Sequence, residues 1–111
     1  MKSSYRLKKN YQYNYVYKHA QSVADKNFIL LFCPSNSKQS KVGFSISKKY
    51  GKAVRRNRTR RQLKAAVSQI MPGAKDGFNA VFIPRHHEAY DFNDVVESVR
   101  KLFEKAGLLK Q

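Results

Sequence analysis

Between Lys48 and Lys64 the chain places nine Lys and Arg among 17 residues, without one acid. The segment reads Ser47-Lys48-Lys49-Tyr50-Gly51-Lys52-Ala53-Val54-Arg55-Arg56-Asn57-Arg58-Thr59-Arg60-Arg61-Gln62-Leu63-Lys64 and leads into Leu63, Ala66, Val67 and Ile70, an apolar stripe at helical spacing. A helix over residues 52–70 is expected, ended by Pro72-Gly73. Arg56–Arg60 and Arg60–Lys64 are like-charge i, i+4 pairs, each destabilising by roughly a few tenths of a kcal/mol. Phosphates would relieve that repulsion. Carried back at about 100° per residue, the apolar stripe passes through Arg56, Thr59 and Arg60. The C-terminal half of this helix therefore faces a core. Its N-terminal half turns the same side past the edge of a sheet, into a cleft or a ligand. Arg58 and Arg61 lie roughly opposite, so one helix offers two phosphate-contacting faces. Arg55, Arg56, Arg58, Arg60 and Arg61 outnumber lysines here, which favours bidentate phosphate contacts. The helix start adds free N–H groups, with Gly51 permitting close approach.

The rest of the chain supplies the sheet. Phe28-Ile29-Leu30-Leu31-Phe32-Cys33 and Phe78-Asn79-Ala80-Val81-Phe82-Ile83 read as buried strands, followed by Pro34-Ser35-Asn36-Ser37 and by Pro84. Lys41 to Ser47 alternates: Val42, Phe44 and Ile46 face one way, and the small Gly43, Ser45 and Ser47 face the other, leaving that side open. The strand at 28–33 and the strand at 41–47 are expected to form an antiparallel pair. Residues 10–20 fit two patterns. Tyr11, Tyr13, Tyr15 and Tyr17 alternate as in a strand, whereas Tyr13, Val16, Tyr17 and Ala20 have helical spacing; we read a helix, capped by Asn10. Asp91 caps a last helix with the stripe Phe92, Val95, Val96, Val99, Leu102, Phe103 and Ala106, and Gly107 stops it. Residues 1–9 read as a basic, flexible arm. The expectation is one RNA-binding domain over 1–111: an α/β (α+β) two-layer sandwich with helices on a small mixed sheet, in the order α-β-β(-β)-α-β-α.

Charge narrows the partner. The 111 residues carry a formal net charge of +16. Residues 1–75 hold 18 Lys and Arg against one acid, Asp25, while residues 76–111 hold five basic and six acidic residues. A basic block of this size repels itself unless an anion compensates it. Nucleic acid fits; a membrane surface lacks a matching amphipathic anchor. Tyr13, Tyr17 and Phe28, interleaved with the basic field, suit stacking on unpaired bases. The lone Cys33 points to a reducing compartment, and hence the cytoplasm. No secretory leader or membrane-length apolar run is expected. Other chemistry is thin. His86 and His87 read as surface histidines, no metal-ligand spacing is present, and no carboxylate lies between residues 26 and 75. A protein-borne metal nuclease site is therefore not expected.

Lys41-Val42-Gly43-Phe44-Ser45-Ile46-Ser47-Lys48-Lys49, leading through Gly51 and Ala53-Val54 to Arg56-Asn57-Arg58-Thr59-Arg60-Arg61, resembles the signature block of the bacterial ribonuclease P protein subunit. Arg6-Leu7-Lys8-Lys9-Asn10, the following aromatics and Lys18-His19 are similar too, so the resemblance covers residues 5 to about 106. It implies a left-handed βαβ crossover, against the usual right-handed rule. It implies a catalytic RNA partner that uses Mg²⁺ to cut the 5′ leader from precursor tRNA, with no cofactor held by the protein and no protein partner required. It implies that Lys48, Lys49, Lys52, Arg55, Arg56, Asn57, Arg58, Arg60, Arg61 and Lys64 bind RNA. The leader would lie in a cleft between the first helix and the sheet, lined by Tyr13, Tyr17, Phe28, Leu31, Ser45, Arg56 and Arg60. The chain departs from the family at Leu31, often an aromatic, and at Lys64, where an Arg is usual. The rival readings are a generic basic RNA-binding protein of ribosomal or RNA-chaperone type, with no role in tRNA processing, and a protein-only nuclease.

Overall fold

The computed structural model describes residues 5–85 and 89–110. Its elements are α1 (Asn10–His19), β1 (Gln21–Ala24), β2 (Phe28–Pro34), β3 (Lys41–Phe44), α2 (Ala53–Ile70), β4 (Phe78–Pro84) and α3 (Phe92–Ala106). The strands form one mixed sheet in the order β1-β2-β4-β3. The two most apolar segments, β2 and β4, take its centre as an antiparallel pair, with Leu31 opposite Val81. β3 runs parallel to β4, with Gly43 beside that same Val81.

This corrects the expected pairing of β2 with β3, because β4 lies between them. β4 is apolar on both faces and would expose one strand-length of apolar side chain at an edge. β3 carries Lys41 and Gly43 on one face and tolerates the edge. Its crossover through α2 then returns the chain parallel to it. Strand β3 also ends at Phe44 rather than Ser47, since the chain tightens into a single helical turn at Lys48–Tyr50.

Side-chain parity divides the core in two. Phe28, Leu30, Val42, Phe78, Ala80 and Phe82 meet Leu63, Ala66 and Val67 of α2 and Val95, Val99, Leu102 and Phe103 of α3. On the other face, Cys33 and Val81, flanked by Leu31 and Ile83, pack under Val16 of α1 and Leu7. The main pair of layers is thus the sheet with α2 and α3, and α1 covers part of the opposite face. Two helix ends match the sequence reading: the Asp91 side chain accepts from the Asn93 N–H, and Gly107 closes α3 at φ 72°. At α1 the cap differs. Asn10 is already helical, and the Gln12 side chain instead reaches back to accept from the Lys8 and Lys9 N–H groups at 3.0 and 3.2 Å.

Of the flexible arm expected over 1–9, residues 5–9 are packed against the fold, and residues 1–4 lie outside the described residues. Leu7 is buried, and its N–H donates to the Val42 carbonyl at 3.2 Å. Arg6 pairs with Val42 as a parallel bridge. An apolar Leu inside a basic run gives this segment something to bury, and the pairing covers the outer edge of β3.

Candidate nucleic-acid interface

The basic segment is held from behind. Tyr50 is buried, its hydroxyl bonded to that of Thr59 at 2.7 Å. Its ring lies parallel to Tyr90, which stacks in turn on Phe28 at 4.7 Å. The turn before α2 is therefore anchored in the core while Lys48, Lys49 and Lys52 remain exposed around it. Thr59 is the residue of the backward-running stripe that is buried, and Tyr50 of the preceding turn meets it there.

α2 then divides as its phase dictates. Arg55, Asn57, Arg58 and Arg61 are exposed, whereas Arg56, Arg60 and Lys64 are half-buried. Arg56 donates to the Gly51 carbonyl at 3.1 Å, and Arg60 donates to the Asn57 side-chain oxygen at 3.2 Å. Desolvation lowers the Lys64 pKa, and the charges of Arg6 and Arg60 lower it further. Three cations gather there, from two segments separated in sequence. An anion seated among them would relieve the repulsion.

Tyr13 connects this cluster to α1. Its hydroxyl accepts from the Phe44 N–H at 3.3 Å and donates to the Leu7 carbonyl at 3.5 Å. Burial pushes the phenol pKa up, against the Phe44 hydrogen bond and the fields of Arg6 and Arg60, so the hydroxyl stays neutral. Tyr17 lies one turn on, 46% exposed, with its ring centroid 6.4 Å from that of Tyr13. Gly43 permits this geometry: a Cβ there would lie 2.5 Å from the Tyr13 hydroxyl. The side of β3 expected to be open is thus filled at Gly43 by a tyrosine. Ser45 beyond it is half-buried, its N–H bonded to the Phe82 carbonyl.

The expected cleft residues do not all share a face. Tyr13, Tyr17, Leu31 and Ser45 lie on the α1 side of the sheet, with Arg60 coupled to Tyr13. Phe28 does not join them: it is fully buried under α3, edge-on to Phe82. Strand parity accounts for this, since Phe28 and Leu31 are three residues apart and cannot face the same way. Sequence reasoning missed Arg6, whose signal was the apolar Leu7 beside it in a basic run. His86 and His87 lie outside the described residues. Among the described residues no group of three or more His, Cys, Asp or Glu is placed to hold a metal, and no helix is long and apolar enough to cross a membrane.

The family model for ribonuclease P matches residues 1–107. The chain belongs to the ribonuclease P protein family. A ribonuclease P protein component of Clostridioides difficile is 38% identical, over 92% of this chain and 91% of the relative. One from Symbiobacterium thermophilum is 37% identical, over 100% and 98%. Among solved structures, the Staphylococcus aureus ribonuclease P protein superposes with a TM-score of 0.86 at 25% identity, covering 96% of this chain and 98% of that one. The Thermotoga maritima protein gives 0.81 at 28% identity, covering 90% and 96%. Membership of the ribonuclease P family fits the basic helix, and nothing favours the generic RNA-binding reading over it.

Proposed function

We propose that this chain is the protein component of a bacterial ribonuclease P and divides its surface between two RNAs. The exposed side of α2, with Arg58 and Arg61 and the turn lysines Lys48, Lys49 and Lys52, docks on the catalytic RNA. The side shared by Tyr13, Tyr17, Leu31, Ser45, Arg56 and Arg60 grips the single-stranded 5′ leader of precursor tRNA. Cleavage belongs to the catalytic RNA with its Mg²⁺, and the protein supplies binding and alignment in the cytoplasm. The observation that carries this reading is the seat of Tyr13 at the end of β3, its hydroxyl accepting from the Phe44 N–H at 3.3 Å, with the exposed Tyr17 one turn on and 6.4 Å away. Rings of this kind on the side of the half-buried Arg56 and Arg60 suit unpaired RNA. Stacking tolerates any base, as a subunit serving many leaders requires.

The test is a pair of dissociation constants for the reconstituted holoenzyme. Tyr13→Ala with Tyr17→Ala is expected to weaken precursor tRNA binding, at about 1–3 kcal/mol per lost stack, and to leave mature tRNA binding unchanged. Equal losses for both ligands would return these tyrosines to a purely structural role.

A further inference from the structure

α1 carries a second aromatic pair that the leader cleft does not use. At about 100° per residue, Tyr11 and Tyr15 lie about 160° around the helix from Tyr13 and Tyr17. They are 67% and 52% exposed, among the few large apolar side chains left in water. Tyr15 packs against His19 with the rings tilted by 39° and centroids 4.4 Å apart. With Asn14, Lys18 and Asn79 of β4 they line a groove of about 570 Å³. Its charge is one-sided, since residues 1–75 contain a single acid, Asp25, and that residue lines a different cavity. The Asn79 side-chain oxygen is buried without a hydrogen-bond partner, so nothing on that oxygen holds the amide against turning toward an incoming donor.

We propose that this groove is a second single-strand RNA site, in which unpaired bases stack on Tyr11 and Tyr15 while Lys18 contacts a phosphate. Core packing does not account for the pair, because Val16 is the residue α1 buries. Two exposed rings one turn apart, a cation on the next turn and a polar floor are what base stacking with backbone contact requires. The exocyclic amino group of adenine or cytosine is the donor that the Asn79 oxygen lacks. The site asks only for unpaired nucleotides. It stands whether the strand comes from a leader, from the catalytic RNA or from another transcript.

The test uses the free full-length protein and fluorescein-labelled ten-nucleotide strands: oligo(A), and an abasic strand of equal charge. On a Tyr13→Ala, Tyr17→Ala background, which removes the first site, Tyr11→Ala with Tyr15→Ala is expected to weaken oligo(A) binding about tenfold or more and to leave abasic binding unchanged. Both residues are exposed, so the variant should unfold at the parent temperature. Tyr11→Phe with Tyr15→Phe is expected to restore oligo(A) affinity. In the parent background the same alanine pair should cost less, because the first site still holds the strand. A source arm repeats the titration with a leader-length strand and with a fragment of the catalytic RNA; the ligand showing the tenfold loss identifies the strand. Unchanged oligo(A) affinity, an equal loss on the abasic strand, or an effect confined to self-association of the protein would overturn the proposal.

Discussion

Gly43→Ala separates recognition from folding. A Cβ at this position would lie 2.5, 2.6 and 2.7 Å from the hydroxyl oxygen, Cζ and Cε1 of Tyr13. All three atoms are at the far end of a half-exposed side chain, so the ring swings out and the backbone stays. The displaced hydroxyl gives up the Phe44 N–H at 3.3 Å and a marginal contact to Leu7 at 3.5 Å. One such bond contributes about 0.5–1.5 kcal/mol. Replacing glycine inside a strand returns roughly 0.5–1 kcal/mol. Net stability should therefore change by no more than about 1 kcal/mol, a shift of a few degrees in melting temperature. The proposed leader cleft would lose one ordered ring, which at about 1–3 kcal/mol per stack is roughly a 5- to 150-fold loss of precursor affinity. The assay pairs urea unfolding of the free protein with holoenzyme binding to precursor and mature tRNA. A stability loss of 3 kcal/mol or more, or undiminished precursor binding by a stably folded variant, would refute the reasoning.

Three further expectations follow from the same geometry. Phe28→Ala should behave as a core truncation costing about 3–5 kcal/mol, because the ring is fully buried against Tyr90 and Phe82; a leader-specific defect in a protein of parental stability would contradict this. With about five or six phosphates neutralised by the exposed cations around α2, log–log salt titration of RNA binding should give a slope of roughly −4 to −5. Arg58→Ala and Arg61→Ala should each flatten that slope without moving the unfolding midpoint. Asp25 is pushed up by burial, but hydrogen bonds from Ser98 and from the Phe28 and Asn27 N–H groups, together with Lys105, outweigh this and lower its pKa. A depressed carboxylate stabilises the fold above its unfolded pKa of about 3.9 and loses that contribution as pH falls through the lower folded value. Asp25→Asn should therefore narrow the gap between urea stability at pH 6 and at pH 3, and an unchanged gap would refute the assignment.

Much of the fold was legible in the sequence because the decisive signals are local. The β2 and β4 spans, the phase of α2, and the Asp91 and Gly107 caps of α3 each follow from residues within a few positions of one another. Strand neighbours are not local. Alternation in β3 tells which side chains share a face, but its position beside β4 is settled by which strand can bear an edge. β1, Gln-Ser-Val-Ala, is short and mostly exposed, so no apolar run marked it. At the site, the split of α2 into exposed Arg58 and Arg61 and half-buried Arg56 and Arg60 came directly from helical phase. The misassignment of Phe28 was avoidable, since period-two parity already separates it from Leu31. The role of Gly43 was visible only once α1 was placed on the sheet, because the tyrosine that fills its missing side chain is 30 residues away.

The proposed role of this chain is to assist an RNA enzyme in removing the 5′ leader from precursor tRNA. The most direct measurement adds the protein to cognate catalytic RNA at low Mg²⁺ and follows leader release under single-turnover conditions. The RNA alone should be slow, the protein alone should release no leader, and the two together should cleave at the mature 5′ end. Arg56→Ala with Arg60→Ala should lower that rate while the protein stays folded. Leader release by the protein without the RNA, or no stimulation of the RNA by a folded protein, would rule out that role.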